Sequence, residues 1–228
     1  ISLEESFKGK EAKIKIPVAQ LGSGEGKTIL ITAGLDGDEY AGIEAAYGLI
    51  AHFAKEKIAG RLIIIPLVNI KAFEHAISKN PFDKKYPKHI FPGSKNGSSS
   101  ERLMFWLSSN FVKHADVWID LHAGAATECL DPFICLFETK QKKVQKETQE
   151  ILKKVNAERV IKKKQNTFAQ NVAKRNTAYV MLESGQLGQR KSGDIRRHIS
   201  WVKQIAGEKK QGSASERKKT VYRKIVEM

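Results

Sequence analysis

A chain of 228 residues suits one α/β domain with a sizeable core, with room for the beginning of a second, and excludes a disordered or fibrous protein. No stretch approaches the roughly eighteen apolar residues of a membrane span, and Ile1-Ser-Leu-Glu-Glu5 is too acidic for a signal peptide. A cytoplasmic protein is therefore expected, with a signal removed ahead of Ile1 as the alternative, because the first residue is not Met. The charge of +15, from 40 Lys and Arg against 25 Asp and Glu, raises nucleic acid as a partner. The lysines cluster at 140–164 and 209–224, however, without aromatic interleaving or a DNA-binding motif, so they read as a solvated face.

In chain order, residues 12–18 alternate Lys with Ile as a half-exposed strand does, and the glycines at 22, 24 and 26 turn the chain into a buried strand at 28–33. The string Gly22-Ser-Gly-Glu-Gly-Lys-Thr28 is one residue short of a phosphate-binding P-loop and precedes a strand instead of a helix, so that reading is set aside. Residues 40–57 carry apolar side chains at helical spacing, and 61–68 form another apolar strand. The segment up to Ser98 is rich in Lys, Asn, Pro and Gly and lacks periodicity, and loops this long are usually functional.

Helical spacing resumes over 99–113, where Glu101 and Arg102 follow Ser98 in the manner of a helix cap. A strand at 115–121 runs into His122, a short one covers 133–137, and 141–155 is a charged amphipathic helix. The last clear strand, 178–182, delivers Glu183, and a helix over 192–206 follows. Residues 208–215 read as a linker and 220–226 as the beginning of a further strand. Cys129 and Cys135 stand outside any metal-binding pattern and are expected as reduced thiols. Trp106, Trp118 and Trp201 fall on apolar faces, and His52, His75, His114 and His198 read as surface or packing residues.

Strands alternating with helices place polar residues at strand ends, where α/β sheets build their sites. Asp36, Glu39 and His122 offer two oxygen ligands and one nitrogen, leaving a fourth position open as a catalytic zinc site does. Glu183, at another strand end, is available as general base. Each residue also has a plainer role: Asp and Glu at a helix start serve as caps, and a lone His after a strand is commonly a hydrogen-bonded core residue.

The pattern Ile-Thr-Ala-Gly followed by Gly-Asp-Glu-Tyr at 31–40, Phe-Pro-Gly at 91–93, Ser-Glu-Arg-Leu at 100–103, Asp-Leu-His at 120–122, Leu-Glu-Ser-Gly at 182–185 and Asp-Ile-Arg-Arg-His at 194–198 resembles the succinylglutamate desuccinylase and aspartoacylase family. That resemblance implies the zinc carboxypeptidase-like fold, a three-layer α/β/α arrangement with a mixed, mostly parallel sheet. It places a hydrolase domain over residues 1–207, with a linker and the possible start of a smaller C-terminal β-domain in 208–228. It further implies one zinc ion and cleavage of an amide bond by metal-bound water, with proton transfer by Glu183.

Three departures from the family pattern accompany these matches. Asp36 stands where the family has its first histidine ligand, giving a more negative centre that shifts metal preference toward harder ions such as manganese. Tyr86-Pro-Lys-His89 replaces an Asp-Leu-Asn-Arg run, and Lys79 stands where a substrate-binding arginine is expected. Lys79, Lys88 and His89 still supply positive charge for a small anionic acylated amino acid or peptide, without arginine's bidentate geometry. The expected function is a metal-dependent amidohydrolase. The alternative is a catalytically silent relative that binds a ligand or partner.

Overall fold

The computed structural model describes residues 2–8, 13–22, 24–164, 166–207 and 220–223, with the backbone alone described for 2–8, 13 and 220–223. In chain order the strands are β1 (Ser2–Lys8), β2 (Lys13–Leu21), β3 (Thr28–Ala33), β4 (Arg61–Ile65), β5 (Val117–His122), β6 (Phe133–Phe137), β7 (Arg159–Lys163), β8 (Ala178–Glu183) and β9 (Thr220–Arg223). The helices are α1 (Tyr40–Phe53), α2 (Ile70–Glu74), α3 (Ser99–Asn110), α4 (Lys142–Lys154), α5 (Thr167–Ala173) and α6 (Ser192–Ala206).

All nine strands join one sheet in the order β1-β2-β4-β3-β5-β8-β6-β7-β9. Pairing is parallel through β4-β3-β5-β8 and again through β6-β7-β9, and antiparallel at β1-β2, β2-β4 and β8-β6, the mixed and mostly parallel sheet that was expected. The central strands are apolar on both faces because helices cover both. Ile29, Ile31, Val117, Ile119, Val180 and Leu182 meet α1, α4 and α6 in one core. Leu30, Ile63, Trp118 and Tyr179 point the other way, into a second core with α3 and α5. The three layers follow directly. No helix among the described residues is long and apolar enough to cross a membrane.

Two glycines set the spacing around the strand ends. A Cβ on Gly42 would lie 2.7 Å from the Leu121 carbonyl oxygen, so its absence lets α1 press its first turn onto the end of β5. A Cβ on Gly37 would lie 2.2 Å from the Phe73 nitrogen, so the loop after β3 packs backbone to backbone against α2. Asn69 fixes that loop from the same side, donating to the Leu35 carbonyl at 3.1 Å while capping α2.

Several elements differ from the sequence expectation. The long segment up to Ser98 contains α2 and a 3₁₀ turn, Pro87–Ile90, both too short to show a period. It is also anchored: Asp83 accepts from Ser98 Oγ, Ser100 N and Ser100 Oγ at 2.7–2.8 Å. β7 lies in the stretch that reads as solvated lysine-rich surface, and α5 in one where no element was expected, yet Val160 is fully buried and Val172 nearly so. The linker expected at 208–215 lies outside the described residues, and Thr220–Arg223 pairs in parallel with β7.

Candidate active site

Parallel register brings the functional strand ends to one edge of the sheet. Ala33 pairs with Leu121, and His122 pairs directly with Glu183. The turn after β3 then carries Asp36 and Glu39 across the end of β5. Asp36 and His122 are each 2% exposed and Glu39 4%. His122 Nδ1 is 2.8 Å from Glu39 Oε2 and 3.8 Å from Asp36 Oδ2. Among the described residues, these three form the one group of ligand-type side chains whose donor atoms converge, all within 4.8 Å of one another.

The capping role open to these acids in the sequence is not what their side chains do. Glu39 occupies the N-cap position of α1 but makes no side-chain cap hydrogen bond there. It accepts instead from the Ala123 backbone at 3.1 Å and faces His122. Burial pushes its carboxyl up to about 8, with Asp36 and Glu183 adding to the rise and His122 opposing it. On His122 burial works against the charged form, yet Glu39 and Asp120 on either side of the ring raise its pKa well above the ordinary histidine range.

Behind His122 lies a buried relay that the sequence reading did not assign. Asp120, with no exposure, accepts from His122 Nε2 at 2.9 Å, from Tyr179 Oη at 2.9 Å and from Thr32 Oγ1 at 2.6 Å. Thr32 Oγ1 in turn accepts from Trp118 Nε1 at 2.7 Å. With Asp120 taking the Nε2 proton, Nδ1 is the ring atom turned toward Asp36 and Glu39, as second-sphere carboxylates commonly orient a ligand histidine. The signal available in sequence was period two: Trp118, Asp120 and His122 alternate on one face of β5. The Thr32 and Tyr179 contributions come from neighbouring strands and have no local signature.

Glu183 is 6% exposed, and its Oε1 is buried without a hydrogen-bond partner. Burial raises its carboxyl to about 6, while His122 and Lys88 oppose the rise. The chain beyond it is held by Ser184, whose carbonyl receives His198 Nε2 at 3.0 Å and whose hydroxyl accepts from Arg197 Nη1 at 2.9 Å. His198 has no exposure, and burial lowers its pKa to about 4. It is thus a neutral buttress of the site, a packing role that the Asp-Ile-Arg-Arg-His match at 194–198 contained without assigning.

The three basic residues expected at the substrate end are placed differently. Lys88, on the 3₁₀ turn, forms an ion pair with Asp36 Oδ2. Burial opposes its charge, but Asp36, Glu39 and Glu183 hold the ammonium charged far above its usual range. Lys79 is exposed, with Nζ 5.1 Å from the centre of the Tyr86 ring, and Lys88 Nζ is 5.6 Å from the same ring. His89 is largely exposed, and its partial burial together with the neighbouring Lys88 charge lowers its pKa. Glu101 and Arg102 play the structural part expected: Glu101 Oε2 accepts from Ser98 N at 2.6 Å in a capping box, and Arg102 donates to the Gly97 carbonyl at 2.6 Å. The three tryptophans are all buried. Cys129 and Cys135 are free thiols, the first exposed and the second buried.

This donor set fits a metal ion. Asp36 Oδ1 is buried with no partner, and two carboxylates converge with an imidazole nitrogen whose opposite face is already fixed. Known proteins agree with the architecture. The family model for the succinylglutamate desuccinylase/aspartoacylase catalytic domain matches residues 25–206. An N-alpha-acetyl-L-2,4-diaminobutyric acid deacetylase of Halomonas elongata is 37% identical over 133 residues, which cover 58% of this chain and 38% of that protein. The structure of a succinylglutamate desuccinylase/aspartoacylase from Rhodobacter sphaeroides superposes with a TM-score of 0.81 at 23% identity, over 90% of this chain and 63% of the other. The product-bound ectoine utilization protein EutE (DoeB) from Ruegeria pomeroyi gives 0.83 at 23% identity, over 97% and 71%. The fold is therefore the zinc carboxypeptidase-like one. The chain spans well under two thirds of the deacetylase's length.

Proposed function

Because the chain belongs to the succinylglutamate desuccinylase/aspartoacylase family, we propose that it is a metal-dependent hydrolase cleaving the amide bond of a small N-acylated amino acid. The observation that carries this reading is the convergence of Asp36, Glu39 and His122 with the unpartnered Glu183 Oε1 beside them. The deacetylase activity named for the Halomonas relative supports the reaction class.

Asp36, Glu39 and His122 would hold the ion, zinc or, given two hard carboxylates, manganese, and the ion when bound supplies Lewis-acid polarisation and a lowered pKa for water. Glu183 takes the proton from the attacking water and returns it to the leaving nitrogen. Burial, which raises its carboxyl to about 6, makes it a better proton acceptor than an exposed glutamate and leaves it acidic enough to give the proton back. Asp120 keeps His122 in one tautomer throughout. Lys79 and His89, exposed beside Tyr86, meet the substrate carboxylate at the rim. The two free thiols support action in a reducing compartment such as the cytoplasm.

The test is release of free amine from N-acetyl and N-succinyl amino acids by metal-loaded protein. Glu183→Gln should lower kcat by about 10²–10⁴-fold with zinc uptake unchanged. Undiminished turnover in that variant would remove Glu183 as the base. The Lys88–Asp36 ion pair favours a second reading, the silent ligand-binding relative. Zinc uptake without turnover of any acylated amino acid would support that alternative.

A further inference from the structure

Lys88 comes 52 positions after Asp36, from a four-residue 3₁₀ turn, yet its ammonium reaches the buried Asp36 carboxylate of the site. The Lys88 side chain is 31% exposed and that of Asp36 2%, so the lysine extends inward from the rim. It acts as counter-ion to the whole cluster, since Asp36, Glu39 and Glu183 all stabilise its charge. Asp36 Oδ2, the oxygen it occupies, is the same atom that lies toward His122 Nδ1.

Asp36 Oδ1 is without a partner, but Oδ2 is the oxygen that faces His122 Nδ1, so an ion drawn to the imidazole meets the ammonium there, and two cations at that spacing repel in a poorly solvated site. We propose that Lys88 is a tethered competitor for the metal: its ammonium holds Asp36 in place when the centre carries no ion and withdraws when the ion enters. The inference rests on the metal-centre reading above. Tyr86 provides the landing place for the displaced ammonium, because its ring already lies 5.6 Å from Lys88 Nζ. Metal loading would thereby deliver a positive charge to the rim, beside Lys79 and His89, where an anionic substrate arrives. Occupancy of the centre and charge at the substrate end become linked through one side chain.

The experiment is a zinc titration of metal-stripped full chain against a competing chelator, comparing wild type with Lys88→Met, Lys88→Gln and Lys79→Met. Lys88→Met should bind zinc at least about tenfold more tightly than wild type, because the ion no longer displaces a buried pair. Lys88→Gln, which keeps a neutral donor for Asp36, should gain less, and Lys79→Met should stay within about twofold of wild type. The Tm of metal-free Lys88→Met should fall and recover on adding zinc, since Asp36 is left buried and unpaired. Equal affinity in wild type and both Lys88 variants, or an equal gain in Lys79→Met, overturns the competition and leaves the metal centre standing. Failure of wild type and both Lys88 variants to take up zinc overturns the metal centre and this inference together.

Discussion

Replacing Asp120 with Asn removes a charge and one acceptor while preserving shape, which makes it a sharp probe of the relay behind His122. Asp120 accepts three hydrogen bonds, from Thr32 Oγ1, Tyr179 Oη and His122 Nε2. Thr32 already accepts from Trp118 Nε1, so its own proton is committed to Asp120. An asparagine offers a single carbonyl oxygen, and its amide must face at least one of these donors. One buried donor left without an acceptor costs about 1–3 kcal/mol, and converting the remaining charge-assisted bonds to neutral ones costs about 1 kcal/mol each. The expected loss is about 3–5 kcal/mol, in the range seen when one partner of a buried ion pair is removed. Urea unfolding of both proteins measures it as a shift in midpoint at constant m-value. Asparagine's amide would also invite His122 to carry its proton on Nδ1, so metal affinity should fall by about 10–100-fold. A stability loss below about 1 kcal/mol with unchanged zinc affinity would refute the relay.

Two other perturbations probe the scaffold of the site. His198 has a folded pKa of about 4 against an ordinary 6.5, so the unfolded chain binds a proton that the folded one refuses between those values. Its stabilising contribution is complete above about pH 6.5 and is lost as pH falls toward 4, at up to about 1.4 kcal/mol per pH unit. His198→Phe should show a shallower acid loss than wild type in urea unfolding at pH 7, 6 and 5, and parallel slopes would contradict the assignment. Gly42→Ala places a methyl 2.7 Å from the Leu121 carbonyl oxygen and should cost about 1–3 kcal/mol by the same assay. A neutral effect would mean that α1 does not press on β5 as described.

What the sequence disclosed and what it hid follow from the range of the interactions. The positions of Glu39, His122 and Glu183 at strand or helix ends, and of Asp36 in the turn after β3, were legible because those boundaries are written locally. Central strands such as Thr28–Ala33 were legible for the same reason, being apolar on both faces. β7 was hidden because only Val160 of Arg159–Lys163 is buried, and its lysines imitate an exposed surface. The bonds from Thr32 and Tyr179 to Asp120 depend on cross-strand register, which no single segment records. The pairing of Lys88 with Asp36 was the least legible feature, since it depends on how a long aperiodic segment is tied down at Asp83, Ser98 and Ser100. The sequence suggested Lys88 as a substrate contact, and the structure gives it a carboxylate of the site as partner.

The proposed function depends on a metal ion held by Asp36, Glu39 and His122. Anomalous diffraction at the zinc edge, on crystals of the zinc-loaded protein, tests it most directly. A bound ion should give one strong peak about 2.0–2.2 Å from a carboxylate oxygen of Asp36, a carboxylate oxygen of Glu39 and Nδ1 of His122, with the Lys88 ammonium moved away from Asp36. No peak among these three residues, with Lys88 still seated on Asp36, would contradict it.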